Sequence, residues 1–113
     1  MHELQIAGRI LELVEQEMVR QKLSKLTSVD VRIGALSGIN PGALTFSYEA
    51  ACAGTVLEGS SLNVDWIETT GECRDCNRTF EVVDLMFVCP DCGSNKIEVI
   101  GGQEIEVKSF SAE

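Results

Sequence analysis

Four cysteines arranged as two C-x-x-C pairs constrain this chain more than any other feature of its sequence. Cys73 and Cys76 form the first pair, and Cys89 and Cys92 form the second, after twelve intervening residues. A C-x-x-C turn directs two sulfurs to one point, and its backbone amides can donate hydrogen bonds to the thiolates. Two such turns complete a tetrahedral cage of four sulfurs, which selects Zn²⁺, or iron in a rubredoxin-like site. The spacing therefore predicts a metal centre bound by these four cysteines.

The predicted metal centre serves structure rather than catalysis. A closed set of four thiolates leaves no coordination position at which a metal could activate water. The cysteine segment is too small to fold alone, so metal binding would supply its folding free energy. We therefore expect a structural Zn²⁺. We also expect a small hairpin between the two pairs, built from the apolar residues Phe80, Val82, Leu85, Phe87 and Val88.

The charge of the chain restricts the classes of partner that it can bind. Its 113 residues correspond to a single domain, and they carry a formal net charge of −9. An acidic chain without a basic stripe repels phosphate backbones, which argues against nucleic acid as a partner. The start shows no signal-peptide pattern, and no stretch is apolar enough to span a membrane, so we expect a cytoplasmic protein. Structural disulfides are rare in that compartment, which also favours metal ligation by the cysteines.

Hydrophobic periodicity predicts the elements of the first half of the chain. From Glu3 to about Lys22, apolar residues recur every three or four positions, which is typical of an amphipathic helix. The stretch TSVDVRIGAL alternates apolar and polar residues and predicts a strand. A second helix follows, with Asn40 as its N-cap, Pro41 at its first position and Gly54 just beyond its end.

Three further strands complete the predicted fold, which is α+β. SLNVDWIE alternates like the first strand, and NKIEVI and EIEVKSF follow the cysteines as two strands around a turn at Gly101–Gly102. The order of elements predicts two helices on a small mixed β-sheet, with an inserted four-cysteine zinc-ribbon-like hairpin. We place residues 1–70 and 96–113 in the α+β domain and residues 71–95 in the zinc-binding insert. The fifth cysteine, Cys52, lies in the second helix, and we interpret it as a small buried side chain.

The sequence offers little for acid–base or nucleotide chemistry. His2 is its only histidine, and we find no Ser-His-Asp or Cys-His constellation. The chain also lacks the Walker A and G-x-G-x-x-G patterns that bind phosphates. We therefore expect a binding protein and not an enzyme.

Several stretches together resemble a known family. The chain opens with Met-His-Glu at the start of an amphipathic helix and continues with GALSGINPGALTFSYEAACAGTVLEGSSL. Its second cysteine pair lies in CPDCGS, and GGQEIEVKSF follows near the end. This combination resembles the HypA/HybF family of nickel metallochaperones over essentially the whole chain. The resemblance implies delivery of Ni²⁺ during maturation of nickel–iron hydrogenase, without catalytic activity.

The resemblance also assigns roles to residues and partners. His2 would be the essential nickel ligand, and the four paired cysteines would bind zinc. The implied partners are a HypB-type GTPase and, as client, the hydrogenase large subunit, while urease is a further client in some organisms. Asn40 stands where many members of the family carry an acidic residue, so we expect no carboxylate ligand from that position.

Coordination chemistry explains why a nickel ligand would stand beside the amino terminus. Ni²⁺ favours square-planar nitrogen donors. The Met1 amine, the His2 backbone nitrogen and His2 Nδ1 can form two fused chelate rings around one ion. The Glu3 backbone nitrogen or a carboxylate could fill the fourth position. Backbone amides are available there because amides in the first turn of a helix have no acceptor within the helix. A terminal site is also accessible to a second protein that receives the metal.

Two alternatives stay open at this point. The cysteine centre could hold iron for electron transfer, as in a rubredoxin, or the insert could be a zinc-ribbon adaptor that binds another macromolecule. Red colour would identify the iron protein, and salt-dependent DNA binding would identify a nucleic-acid adaptor. The sequence is also compatible with a homodimer.

Overall fold

Two helices form where the apolar periodicity and the capping residues predict them. In the computed structural model, which describes residues 3–113, α1 spans Glu3–Gln21 and α2 spans Pro41–Cys52. The Asn40 side chain caps α2 by accepting a hydrogen bond at 2.9 Å from a backbone N–H of the first turn. Gly54 follows the helix with φ +75°, a left-handed conformation that glycine adopts without strain. The predicted extents of both helices and both caps of α2 are confirmed.

The first sheet contains three strands. The central strand β1 (Leu26–Gly34) pairs in parallel with β2 (Ser61–Ile67), and α2 lies in the crossover between them. The last strand, β6 (Ile105–Ala112), pairs with β1 in the antiparallel direction. The sheet is therefore mixed, as predicted.

The apolar core lies between this sheet and the two helices. Val29, Val31 and Ile33 alternate along β1 and are completely buried. They belong to one cluster with buried side chains of α1 and α2, among them Ala7, Ile10, Leu11, Val14, Met18, Leu44, Tyr48 and Cys52. The interpretation of Cys52 as a small buried side chain is thus confirmed.

The other face of the sheet is polar and is held by pairs between neighbouring strands. Asp30 accepts hydrogen bonds from Asn63 on β2, at 2.9 Å, and from Ser109 on β6, at 3.1 Å. These bonds, the one from Asn63 first, lower the pKa of the Asp30 carboxyl below its usual 3.8. Arg32, two residues further along β1, pairs with Glu106 of β6 at 3.3 Å. One face of the sheet is therefore packed and the other is solvated.

A second sheet surrounds the first cysteine pair. Its strands are β3 (Thr70–Cys73), β4 (Thr79–Glu81) and β5 (Ile97–Gly101), in the order β4-β3-β5 and antiparallel throughout. β3 and β4 form the zinc-ribbon-like hairpin, with the first C-x-x-C turn between them. We call these strands, the two C-x-x-C turns and the segments that connect them the four-cysteine unit, and we call the two helices, the first sheet and their connecting loops the α+β unit.

Of the apolar residues expected to build a hairpin between the cysteine pairs, Phe80 lies in β4, but the residues after it form no second strand. Val82 is buried, but Leu85 and Val88 are 67% and 47% exposed. Asp84 and Leu85 both have positive φ angles, and the Met86 N–H donates to the Val83 carbonyl at 3.0 Å, so the chain turns back sharply here. This segment is a tight turn with an apolar tip and not a pair of strands.

The last two strands form where predicted, but they do not pair with each other. β5 was expected in the α+β domain with residues 96–113, yet it pairs with β3 of the four-cysteine unit, and β6 pairs with β1. Gly101–Gly102 therefore does not close a hairpin. Instead, the Gly102 carbonyl accepts a hydrogen bond from Leu36 N–H at 2.7 Å. Alternation along a strand indicates which side chains are buried but not which strand is the partner.

The two units meet where the end of β1, at Gly34, crosses the segment between β5 and β6, at Gly102. A Cβ atom on Gly34 would lie 2.1 Å from the Gly102 backbone, and one on Gly102 would lie 2.7 Å from Thr69. Glycine is needed at both positions because no side chain fits between the crossing segments. Two helices, two small sheets and the cysteine region confirm the predicted α+β class. Neither described helix is long and apolar enough to cross a membrane.

Candidate metal centre

The two C-x-x-C turns have the same backbone structure. In the first, the N–H of Asn77 donates to the carbonyl of Cys73 at 2.8 Å, and in the second the N–H of Gly93 donates to the carbonyl of Cys89 at 3.0 Å. Asn77 and Gly93 both adopt left-handed backbone conformations, with φ of 63° and 74°. Asparagine and glycine tolerate this conformation best, so each turn ends with a suitable residue.

The turns bring all four sulfurs to one point. The sulfurs of Cys73 and Cys92 are 3.5 Å apart, as are those of Cys76 and Cys89, and all four lie within 4.8 Å of one another. A disulfide requires about 2.05 Å, so these cysteines are not bonded to each other. A tetrahedral site with Zn–S bonds of about 2.3 Å places its sulfurs roughly 3.8 Å apart. The four cysteines therefore fit a metal ion, and the structure brings together all four residues that the spacing predicts.

Hydrogen bonds and burial together lower the pKa of two of the four thiols and raise the pKa of the other two. Burial raises the pKa of Cys73, but backbone N–H groups of its own turn donate to the sulfur and bring that pKa down to about 7. At Cys89 the N–H of Cys92 lowers the pKa and burial raises it, and the net result is a lowered pKa. At Cys76 the N–H of Arg78 favours the thiolate, but the bond with Cys89 and burial outweigh it and raise the pKa to about 12. Four thiolates so close together need a cation to neutralise them.

Polar contacts fasten the two turns to each other. Arg78, just after the first turn, donates to the carboxylate of Asp91 in the second turn at 2.6 Å. Ser94, just after the second turn, donates to Asp75 in the first turn at 2.5 Å. Sequence reasoning missed both contacts, because no local pattern shows which polar residues of two separate turns will face each other.

Of the three residues predicted to bind nickel, the structure describes only Glu3. Met1 and His2 lie outside the described residues. Glu3 begins α1, and its carboxylate accepts a hydrogen bond from the backbone N–H of Asn40 at 3.4 Å. The side-chain oxygen of Asn40 is engaged in capping α2. The first turn of α1 thus lies against the start of α2, and the nickel ligands stay a prediction.

Fold and site define this chain as a small α+β protein with a closed four-cysteine centre for a metal ion. A model of the family described as "Hydrogenase/urease nickel incorporation, metallochaperone, hypA" matches residues 1–112. The chain therefore belongs to the HypA family, whose members are nickel metallochaperones. The predicted membership is confirmed, and it favours metal delivery over the rubredoxin-like and adaptor alternatives.

Relatives along the full length support this membership. A protein of Picosynechococcus named hydrogenase maturation factor HypA is 36% identical over 110 residues, covering 97% of each chain. A protein of the same name from Chlorobaculum parvum is 32% identical over 113 residues and is covered completely. The chain also has the fold of a solved structure titled as a solution structure of HypA protein, with a TM-score of 0.74 at 23% identity, covering 100% of this chain and 97% of that one. The structure of the nickel metallochaperone HypA from Helicobacter pylori matches with a TM-score of 0.68 at 24% identity, covering 99% and 97%.

Proposed function

We propose that this protein binds Ni²⁺ at its amino terminus and delivers it during maturation of nickel–iron hydrogenase, while Cys73, Cys76, Cys89 and Cys92 hold a structural Zn²⁺. The family match over residues 1–112 carries the proposal, since the family is defined by nickel incorporation. The fit of four sulfurs to a tetrahedral ion supports the zinc assignment.

The chemistry of the four-cysteine centre supports a second site for the cargo. Four thiolates close the coordination shell of their ion, and two of the cysteines are buried, so an ion there is poorly placed for transfer. Cargo needs ligands that a receiving protein can reach and replace. The Met1 amine, the His2 backbone nitrogen and His2 Nδ1 supply such ligands, with the Glu3 backbone nitrogen as the fourth. The bound zinc supplies folding free energy to the four-cysteine unit and takes no part in delivery.

The proposal includes the partners that delivery requires. A HypB-type GTPase assists release, and the hydrogenase large subunit receives the metal, in the cytoplasm. The family description also names urease, which makes urease a second candidate client. The protein itself catalyses no reaction, because its function is to hold and transfer an ion.

An extension of the amino terminus tests the nickel site. Adding two residues before Met1, the second of them proline, converts the Met1 amine into an amide, and the proline has no backbone N–H that could be deprotonated to bind nickel in its place. We expect this extension and His2→Ala each to weaken nickel binding at least about tenfold, because each removes one nitrogen and one chelate ring. Calorimetry with Ni²⁺ measures the affinity, and visible absorption reports square-planar coordination.

The controls separate nickel binding from folding. Zinc content and amide dispersion should be unchanged in both variants, and Gln5→Ala, an exposed change on the same helix, should bind nickel normally. Normal planar nickel binding by the extended protein would exclude the amine from the site. Normal binding by His2→Ala would refute the proposed site altogether.

Acidification separates the two metals. His2 must be neutral to bind a metal, and the usual pKa of histidine is about 6.5. We therefore expect nickel to dissociate as the pH falls through about 6 while zinc stays on its four thiolates. Metal analysis after dialysis at a series of pH values measures both ions. Loss of zinc before nickel would contradict the assignment of the two sites.

A further inference from the structure

A groove of about 630 Å³ lies on the surface of the α+β unit, between α1 and the end of α2. Its long wall is a stripe along α1 that extends from Gly8 to Val19, roughly three helical turns or 16 Å. The opposite wall comes from the last turn of α2 and the loop after it. The groove is lined by Gly8, Leu11, Glu12, Glu15, Gln16, Val19, Ala51, Thr55 and Leu57.

Nothing in the fold requires a glycine at position 8. It lies inside α1, where glycine weakens a helix relative to alanine. A Cβ atom built on Gly8 would have no neighbour within 4 Å, so packing does not require a glycine there. By contrast, Gly34 and Gly102 are at crossings where a side chain would collide with the backbone. An unexplained glycine in a groove wall leaves room for another chain to approach the helix backbone closely.

The groove combines an apolar lining with an acidic edge. Val19 is 77% exposed at one end, although it is a large aliphatic residue. The carboxylates of Glu12 and Glu15 lie on the same stripe of α1. Glu12 pairs with Arg9 at 3.0 Å, whereas Glu15 makes no ion pair and no side-chain hydrogen bond within residues 3–113. A partner that buried the apolar lining would therefore have to neutralise at least one carboxylate.

We propose that this groove is the docking site for an amphipathic helix of a partner protein, with an apolar face and lysine or arginine along its flank. The apolar face lies over Gly8 and Ala51, whose small size permits close approach, and the basic flank pairs with Glu15. The stripe on α1 is long enough for about three turns of such a helix. This docking does not depend on which residues bind nickel.

The charge of the chain favours a cationic helix over a second copy of the chain or a membrane as the ligand of this groove. A second copy of this chain carries −9 and would bring further negative charge to the same edge. A membrane with anionic lipids is disfavoured for the same reason. A cationic helix gains from both the apolar lining and the acidic edge, and the field of the acidic chain also speeds its encounter.

The test uses the full zinc-loaded chain and a synthetic peptide of about three helical turns, with leucine on one face and lysine at its flank. We expect saturable chemical-shift changes at the amides of Gly8, Val19 and Thr55, with an affinity that falls as salt increases. A scrambled peptide of the same composition should produce no saturable change there. A peptide with glutamate in place of lysine should not bind.

Variants of the groove make the test specific. Gly8→Leu fills the space above α1 and should weaken peptide binding about tenfold or more, while the melting temperature does not fall because leucine favours helix. Glu15→Lys should weaken binding several-fold and reduce its salt dependence. Gln5→Leu, an exposed change on α1 outside the groove, should leave the affinity unchanged.

Four results would overturn the proposal. Unaltered peptide binding by Gly8→Leu would show that the peptide does not enter the groove. Equal binding of the scrambled peptide would show that charge alone attracts it. Groove shifts that depend on protein concentration without peptide, or that arise with neutral phosphatidylcholine vesicles, would assign the groove to a second copy or to lipid.

Discussion

In the α+β unit fourteen buried hydrophobic residues form one core, whereas the four-cysteine unit buries only Cys73, Val82 and Cys89 among its hydrophobic residues. The α+β unit thus gains its stability from apolar surface removed from water. The four-cysteine unit has little such surface and depends on its metal ion and on the hydrogen bonds of its turns. Two small sheets of one chain are therefore stabilised in two different ways. Each unit should respond to a different kind of substitution.

Removing one sulfur should have the largest effect. Cys73→Ser should abolish zinc retention and unfold the four-cysteine unit, because structural zinc contributes on the order of 10 kcal/mol to the folding of such units. The α+β unit should stay folded, since its core does not include this residue. Metal analysis and an amide NMR spectrum measure both effects. Cys52→Ala is the matched control, and it should keep full zinc content because Cys52 lies in the core of the α+β unit.

Full zinc retention by Cys73→Ser would reject the metal assignment. Loss of all amide dispersion would show that the α+β unit cannot fold alone, and the proposed division into two units would then be wrong.

A substitution that leaves a cavity in the apolar core should destabilise the α+β unit and leave the four-cysteine unit intact. Leu44 is completely buried in α2, so Leu44→Ala should destabilise the α+β unit by about 2–5 kcal/mol. Zinc content should be unchanged at temperatures where the variant is folded. Leu4→Ala, at a position that is 61% exposed on α1, should cost far less. Urea unfolding measures the difference, and equal destabilisation by the two changes would contradict the position of the core.

Relief of backbone strain should stabilise only the four-cysteine unit. Leu85 has φ 59° and is 67% exposed, so Leu85→Gly loses little burial and removes about 1 kcal/mol of strain. Amide exchange of the strands beside the cysteines should become slower, while exchange in α1 should not change. Val83→Gly is the control, because Val83 is similarly exposed but is not among the residues with positive φ. Faster exchange in Leu85→Gly would show that the leucine makes contacts that outweigh the strain.

The smallest effect should come from the solvated face of the sheet, and only in acid. The pKa of Asp30 is lowered in the folded state, so the stability it contributes is complete above its usual value of 3.8 and is lost as the pH falls through the lower folded value. Asp30→Asn should therefore reduce stability slightly at neutral pH and not at all in strong acid. Urea midpoints measured at pH 7 and at about pH 2 report the change. An equal loss at both values would assign the effect to shape and not to charge.

The sequence determined those features that depend on neighbouring residues. Apolar periodicity defined α1, alternation defined β1, and Asn40, Pro41 and Gly54 set the ends of α2. The two C-x-x-C turns followed from spacing alone, because each turn closes its own hydrogen bonds within a few residues. The family was also evident from the sequence, since its motifs extend along the chain.

Only the tertiary structure decided which strands pair and which distant residues meet. β5 pairs with β3 and β6 with β1, although both strands alternate in the same way. The contact at Gly34 and Gly102 leads the chain from one sheet to the other, and it joins residues far apart in sequence. The groove between α1 and α2 arises in the same way, from two helices that each show an ordinary pattern. Such features result from the packing of whole elements, and alternation or capping within a single element carries no information about the partner.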